Sequence, residues 1–219
     1  MVSNIQIRTN SINPVFLSKK EKNTEEIILK SARKVFLKKG LQGARMQDIA
    51  DKARINKAML HYYYKSKEKL FEEIFTEETY KLLPQISELL ESDIPLFDKI
   101  KFFVGSYLDV LKKNKNMPIF VLNEITQNHE LIVKLLKDKI NSSFGVFASD
   151  VSKAVKAGEI KGIEASQLLV NMISLSVFPF AARPMIKGIY GMSEEDFDRF
   201  IEIRKKEVPE FIINAIKVK

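Results

Sequence analysis

The 219-residue chain has no cysteine and no tryptophan, two histidines and eight glycines. Without cysteine there is no disulfide framework, no thiol catalysis and no cysteine-bearing metal site, which fits a reducing compartment. His61 and His129 are far apart and lack metal-ligand spacing. No glycine-rich phosphate loop is present. No apolar run approaches the ~20 residues of a membrane span, and the N-terminus lacks the basic-then-apolar pattern of a signal peptide. Two Ser-x-x-Lys matches, Ser31–Lys34 and Ser66–Lys69, sit where lysine is abundant and are read as chance. These absences point to a cytoplasmic protein that is not an enzyme, needs no cofactor or metal, and does not enter a membrane.

What is present is positive charge, unevenly placed. The net charge is +8. Residues 1–70 hold 16 Lys and Arg against 6 Asp and Glu, whereas residues 71–219 hold 20 against 22. All the excess lies in the first third, as expected of a polyanion-binding module on a near-neutral body. Hydrophobic residues make up 45% of the chain, enough for a real core.

The periodicity is helical throughout, so an all-α fold is expected. Residues 1–18 show no period and read as a flexible arm, either a disordered tail or a minor-groove arm with Arg8, Lys19 and Lys20 to hand. A first helix opens near Asn23 or Thr24 and carries the stripe Ile28, Ala32, Val35, Phe36 to a stop at Gly40. A second runs over Met46–Ala53, with Arg45 where a capping Ser or Thr is usual and Arg54 at a turn that favours glycine. Asn56 caps a third helix reaching about Tyr64, and Ser66 caps the next. Ile49, Ile55 and Leu60 are spaced to fill one small core, with Ala50 and Ala53 where helices approach closely. Lys57, Met59, His61, Tyr62 and Tyr63 occupy the other face, the layout of a helix-turn-helix. Arg45 and Lys67 flank it as phosphate contacts. Lys57 can reach guanine acceptors, and Ala58, Met59 and the tyrosine rings offer apolar surface to thymine methyls.

Beyond residue 67 the spacing predicts a helix over 67–91 kinked or broken at Pro84. Further helices are predicted from Pro95 to Lys113, Pro118 to Asn128, His129 to Ala157 and Glu164 to Ala182. A loop is expected over 183–191, then a final helix capped by Ser193 and ending near Lys217. Three parts follow: the arm 1–18, a helix-turn-helix domain 19–66, and a helical domain 67–219, for which the resemblance described next implies effector binding and dimerisation.

Residues 24–70 resemble the DNA-binding domain of TetR-family transcriptional regulators. The matching features are Ala-x-x-Val-Phe-x-x-x-Gly at 32–40, Met-x-x-Ile-Ala at 46–50, and Leu-His-Tyr-Tyr-Tyr-Lys-Ser-Lys-Glu-Lys-Leu at 60–70. The resemblance implies a nine- or ten-helix, two-domain fold that dimerises through its last two helices and releases a pseudo-palindromic operator when a small molecule fills a C-terminal pocket. By position it gives Lys57, Ala58, Met59, His61 and Tyr62 base-facing roles and Arg45, Tyr63 and Lys67 phosphate-facing ones. Four positions depart from the family pattern: Arg45 for Ser/Thr, Arg54 for Gly, Met59 for Thr and His61 for Tyr. His61 is either a pH-sensitive contact or simply a surface aromatic substitute.

The middle helices are rich in aromatics, which form either ordinary core or the walls of a cavity. Phe103, Tyr107, Phe120, Glu124, Asn128, Phe144 and Met172 are the candidate lining residues. Glu124 reads either as an inward carboxylate, favouring a cation or hydrogen-bond donor, or as a salt-bridge partner of a lysine. Leu168, Leu169, Met172, Ile173 and Leu175 nearly encircle one late helix. A stripe from Phe197 through Phe211 to Ala215 marks the last, so the pair suits an isologous four-helix interface. A C-terminal domain that answers to a protein partner, or only dimerises, is the alternative to a ligand-responsive one.

Overall fold

Helices account for all the regular structure among the residues that the computed structural model describes, 19–80, 83–115 and 117–218. In chain order they are α1 (Lys19–Gly43), α2 (Met46–Ala53), α3 (Lys57–Tyr63), α4 (Lys67–Tyr80), α5 (Leu83–Glu91), α6 (Leu96–Lys113), α7 (Met117–Gln127), α8 (His129–Lys156), α9 (Ala165–Ala181), α10 (Arg183–Tyr190) and α11 (Glu194–Ile216). The only extended pairing among these residues is an isolated bridge between Ile160 and Lys217. The expected arm, residues 1–18, lies outside the described residues. Lys19 and Lys20 belong to α1 rather than to an arm.

Three expectations are corrected. The first helix starts at Lys19, ahead of the Asn23 and Thr24 caps, because the segment is rich in helix-formers. Its regular part stops at Gly40 (φ 67°, ψ 179°), a conformation open essentially to glycine alone, and one more helical turn reaches Gly43. The segment 67–91 is two helices, the broken alternative of the two expected, with Pro84 in the first turn of α5, where a missing N–H costs nothing. Residues 183–190 form a helix instead of a loop. Pro184 sits in its first turn and Gly191 terminates it at φ 60°, signals the surrounding polar and glycine residues masked.

Two apolar cores organise the chain. The smaller takes Ile28, Ala32, Val35 and Phe36 from α1, Ile49 and Ala50 from α2, and Leu60 from α3. It is completed by Leu70, Phe71, Ile74 and Phe75 from α4, together with Phe120 from α7 and Ile132 from α8. Phe71 anchors it, edge-on to Phe36 at 5.2 Å and stacked on Phe75 at 5.7 Å. Arg33 of α1 pairs with Glu77 and Glu78 of α4. The larger core uses a full face of α6 (Ile100, Phe103, Val104, Tyr107, Leu108, Leu111) against α5, α8, α9 and α11. Within it Pro179 has no N–H to give the Leu175 carbonyl one turn back. The Arg204 guanidinium of α11 supplies that hydrogen bond instead, at 2.6 Å.

Candidate nucleic-acid interface and the cavity behind it

The turn between α2 and α3 is built from unusual residues that nonetheless satisfy its backbone. Arg45 is extended (φ −118°, ψ 144°) and gives no side-chain cap. Asp48 accepts the Arg45 N–H at 3.2 Å and pairs with Lys39 at 2.7 Å. The Lys39 hydrogen bond is the main reason its carboxyl is held below the usual range. The guanidinium of Arg45 is thereby left for the surface. Arg54 adopts the left-handed conformation (φ 57°, ψ 39°). Its N–H reaches the Asp51 carbonyl at 3.2 Å, and that of Ile55 reaches Ala50 at 3.1 Å. This is the double bond of a glycine-type helix end, made here by arginine. Asn56 then caps α3, accepting the Met59 N–H at 2.7 Å.

Leu60 is the buried residue of α3 and fixes its orientation. Lys57, Ala58 and Met59 are exposed, His61 and Tyr63 are half-buried, and Tyr62 stands 69% exposed. Tyr62 is held edge-on to Tyr63 at 5.4 Å, and the Lys65 ammonium lies 6.0 Å from its ring centre. Arg45 is exposed at the start of α2, and Lys67 is half-buried at the start of α4. All eight expected interface residues are therefore at least partly accessible and belong to the helix-turn-helix or its flanks. Arg54 and Lys65 add two exposed cations that were not among them. The alternation Lys65-Ser66-Lys67 was the available signal for the second. Tyr64 is a structural residue: it is buried and donates to Glu73 at 3.2 Å, and burial, then Glu73, push its phenol far up.

A cavity of about 270 Å³ lies among α5, α6, α7, α8 and α9. Phe103, Tyr107 and Leu111 line it from α6, Pro118, Val121, Leu122 and Ile125 from α7, Phe144 from α8, and Ile173 and Val177 from α9. Of the seven expected lining residues, Phe103, Tyr107 and Phe144 face this space. Met172 is fully buried in the surrounding core instead. Phe120 and Glu124, one turn apart on the opposite face of α7, point the other way, as does Asn128 just past its end. Phe120 packs on Phe71 and Phe75. Glu124 is 1% exposed and pairs with no lysine. One of its oxygens accepts the Leu41 N–H at 2.9 Å, and the other accepts the Asn128 amide at 2.6 Å. Asn128 in turn accepts from Gln42 at 2.9 Å. Gly40 makes the approach possible, since a Cβ there would lie 2.8 Å from the Glu124 carboxylate. Apolar residues occur on both faces of α7, so spacing alone could not say which one meets the cavity.

A basic helix-turn-helix on a helical body defines a DNA-binding transcription regulator. The family model described as bacterial regulatory proteins, tetR family, matches residues 28–74. The HTH-type transcriptional repressor NicS of Pseudomonas putida is 28% identical over 160 residues, 70% of this chain and 72% of that protein. YhgD of Bacillus subtilis, an HTH-type transcriptional regulator, is 23% identical over 154 residues, 70% and 80% of the two chains. The crystal structure of Bacillus subtilis FadR in complex with stearoyl-CoA shares the fold with a TM-score of 0.61 at 16% identity, over 87% of this chain and 98% of that one. Residues 28–74 therefore carry a TetR-type DNA-binding segment, and the chain is similar over most of its length to HTH-type transcriptional regulators. Its relatives act on DNA as regulators and are not enzymes.

Proposed function

We propose that this regulator is a homodimeric, cytoplasmic repressor, released from a pseudo-palindromic operator when a small apolar or amphipathic ligand enters the cavity. The observation that carries this reading is the two-sided use of α7. Val121, Leu122 and Ile125 line the cavity, while Phe120 and Glu124 hold the DNA-binding core and the end of α1. A ligand that shifts α7 by a fraction of a helical turn moves the frame on which α1 to α3 are mounted. The open volume weighs against a C-terminal domain that serves dimerisation alone. FadR, a chain of the same fold, is in complex with stearoyl-CoA, an amphipathic molecule with a long acyl chain.

On the DNA side, Lys57, Ala58, Met59, His61 and Tyr62 are assigned to base edges, and Arg45, Tyr63 and Lys67 to phosphates. The dimer forms through α9 and α11, where Phe178 and Phe211 are 58% and 67% exposed. Large aromatics left this open suit an isologous interface with a second copy. Selection of bound DNA from a random-sequence pool tests the first half of the reading and is expected to return inverted half-sites. A reporter carrying that DNA tests the second half. Apolar compounds are expected to relieve repression by the wild type but not by the cavity-filling Val177→Phe. Equal relief in both would remove the ligand reading.

A further inference from the structure

Tyr107 lies nine-tenths buried on α6, its ring tilted against Phe103 at 5.7 Å. It lines the cavity, and its hydroxyl has no hydrogen-bond partner among the described residues. The hydroxyl opens on the cavity rather than being sealed in the core, so an occupant with an acceptor at that point can take its hydrogen bond. Ser143, also on the wall, is already committed to Glu91 at 2.6 Å. Apart from Ser87 of α5, the rest of the wall is hydrocarbon, with Leu111, Val121, Phe144 and Val177 among its members. Of the nearby charges, Glu91 is held by Ser143, Glu124 by Leu41 and Asn128, and Lys99 by Asp150 and the Leu90 carbonyl. No described lining residue carries a charge, and an ion without a counter-charge is disfavoured there. Burial pushes the Tyr107 phenol up to about 12, which keeps it protonated and able to donate.

We propose that the cavity takes a compact, uncharged, largely hydrocarbon molecule carrying one oxygen acceptor, a carbonyl or ether, which receives the hydrogen bond of the Tyr107 hydroxyl. This rests on the reading of the cavity as the effector site. Its volume, about 270 Å³, lies at the lower end of ligand pockets, which excludes bulky headgroups from the interior. The rim is apolar as well, with Leu122, Ile125 and Ile173 partly exposed there.

Four probes of similar size test the ligand class: 4-phenylbutan-2-one, butylbenzene, 3-phenylpropanoate and 3-phenylpropylammonium. Affinities come from ligand-observed NMR titration of the full chain and of Tyr107→Phe, which keeps the ring and removes one oxygen. The ketone is expected to bind, and to bind the variant roughly fivefold more weakly. Butylbenzene is expected to bind both proteins alike, and both ions to bind more weakly than the ketone. A ketone affinity indifferent to Tyr107, an ion bound as tightly as the ketone, or no ketone binding at millimolar concentration overturns the proposal. The ion comparison needs only the wild type, so it stands even where the variant misfolds. Release of selected operator DNA is read in the same samples. Tyr107-dependent binding without release keeps the ligand class and removes the effector reading. Release by an ion keeps the effector reading and removes the ligand class.

Discussion

Arg54 shows how one residue serves two demands. A left-handed backbone costs a non-glycine residue about 1 kcal/mol, and Arg54 occupies that conformation at φ 57°. The cost is offset elsewhere if its exposed guanidinium meets phosphate. Arg54→Gly is therefore expected to raise unfolding free energy by about 1 kcal/mol in a denaturant titration. The same variant is expected to lower the salt dependence of DNA binding by about one counterion. A variant that gains stability with an unchanged salt slope would show that Arg54 touches no phosphate. Lys57 and Lys67 divide differently. Lys67→Ala is expected to weaken binding to operator and random DNA alike, whereas Lys57→Ala relaxes preference at one base position. Competition binding against single-base operator variants distinguishes the two, and equal losses on all DNA for both variants would contradict the assignment.

At the scale of elements, α7 joins the cavity to the DNA-binding core through one buried carboxylate. Glu124→Ala strands the Leu41 N–H and is expected to cost about 2 kcal/mol, whereas Glu124→Gln keeps an acceptor and costs less. Thermal unfolding of the two variants gives the comparison, and equal losses would mean that the carboxylate's charge matters more than its hydrogen bond. A second clamp ties α5, α6 and α8 together behind the cavity. Lys99 is fully buried, donates to the Leu90 carbonyl at 2.8 Å and pairs with Asp150. Burial pushes the Asp150 carboxyl up, but the hydrogen bonds and charges of Lys99 and Lys153 outweigh it and hold it below its usual value of 3.8. A carboxyl depressed on folding contributes stability that is complete above its unfolded pKa and is lost as pH falls through the folded one. Asp150→Asn leaves an uncompensated buried ammonium, expected to cost about 3 kcal/mol at neutral pH. Its stability curve is expected to approach the wild type's below about pH 4. Parallel curves through that range would exclude Asp150 as the titrating group.

For the whole molecule, the distribution of charge and exposed aromatics sets the expected assembly. The positive excess lies in the first third, and the open aromatics lie at the far end, on α9 and α11. A second copy joined there leaves both helix-turn-helix units free for one DNA duplex. Phe211→Glu places a charge in that face while leaving both cores untouched. It is expected to give a folded monomer in sedimentation velocity and to weaken operator binding far more than binding to an isolated half-site. A dimer unchanged by Phe211→Glu would move the interface elsewhere.

The sequence by itself determined the helix-turn-helix almost residue by residue. Its signals are local: Asn56 and Ser66 accept the first N–H groups of their helices, Leu60 alternates with exposed neighbours, and Arg54 marks a turn. Capping, spacing and charge act within one or two turns and are legible in a linear string. The helix over 183–190 carries Met185, Ile186, Ile189 and Tyr190 at helical spacing, but Pro184, Gly188 and Gly191 within nine residues read as loop signals. The cavity was legible only in part. Phe103, Tyr107 and Phe144 were identifiable as aromatics on buried helices, but a helix buried on two sides gives the same pattern whichever side meets the cavity. Only the tertiary structure decided that Glu124 serves the end of α1 rather than a ligand, because the partner that satisfies it, the Leu41 N–H, lies 83 residues away in sequence.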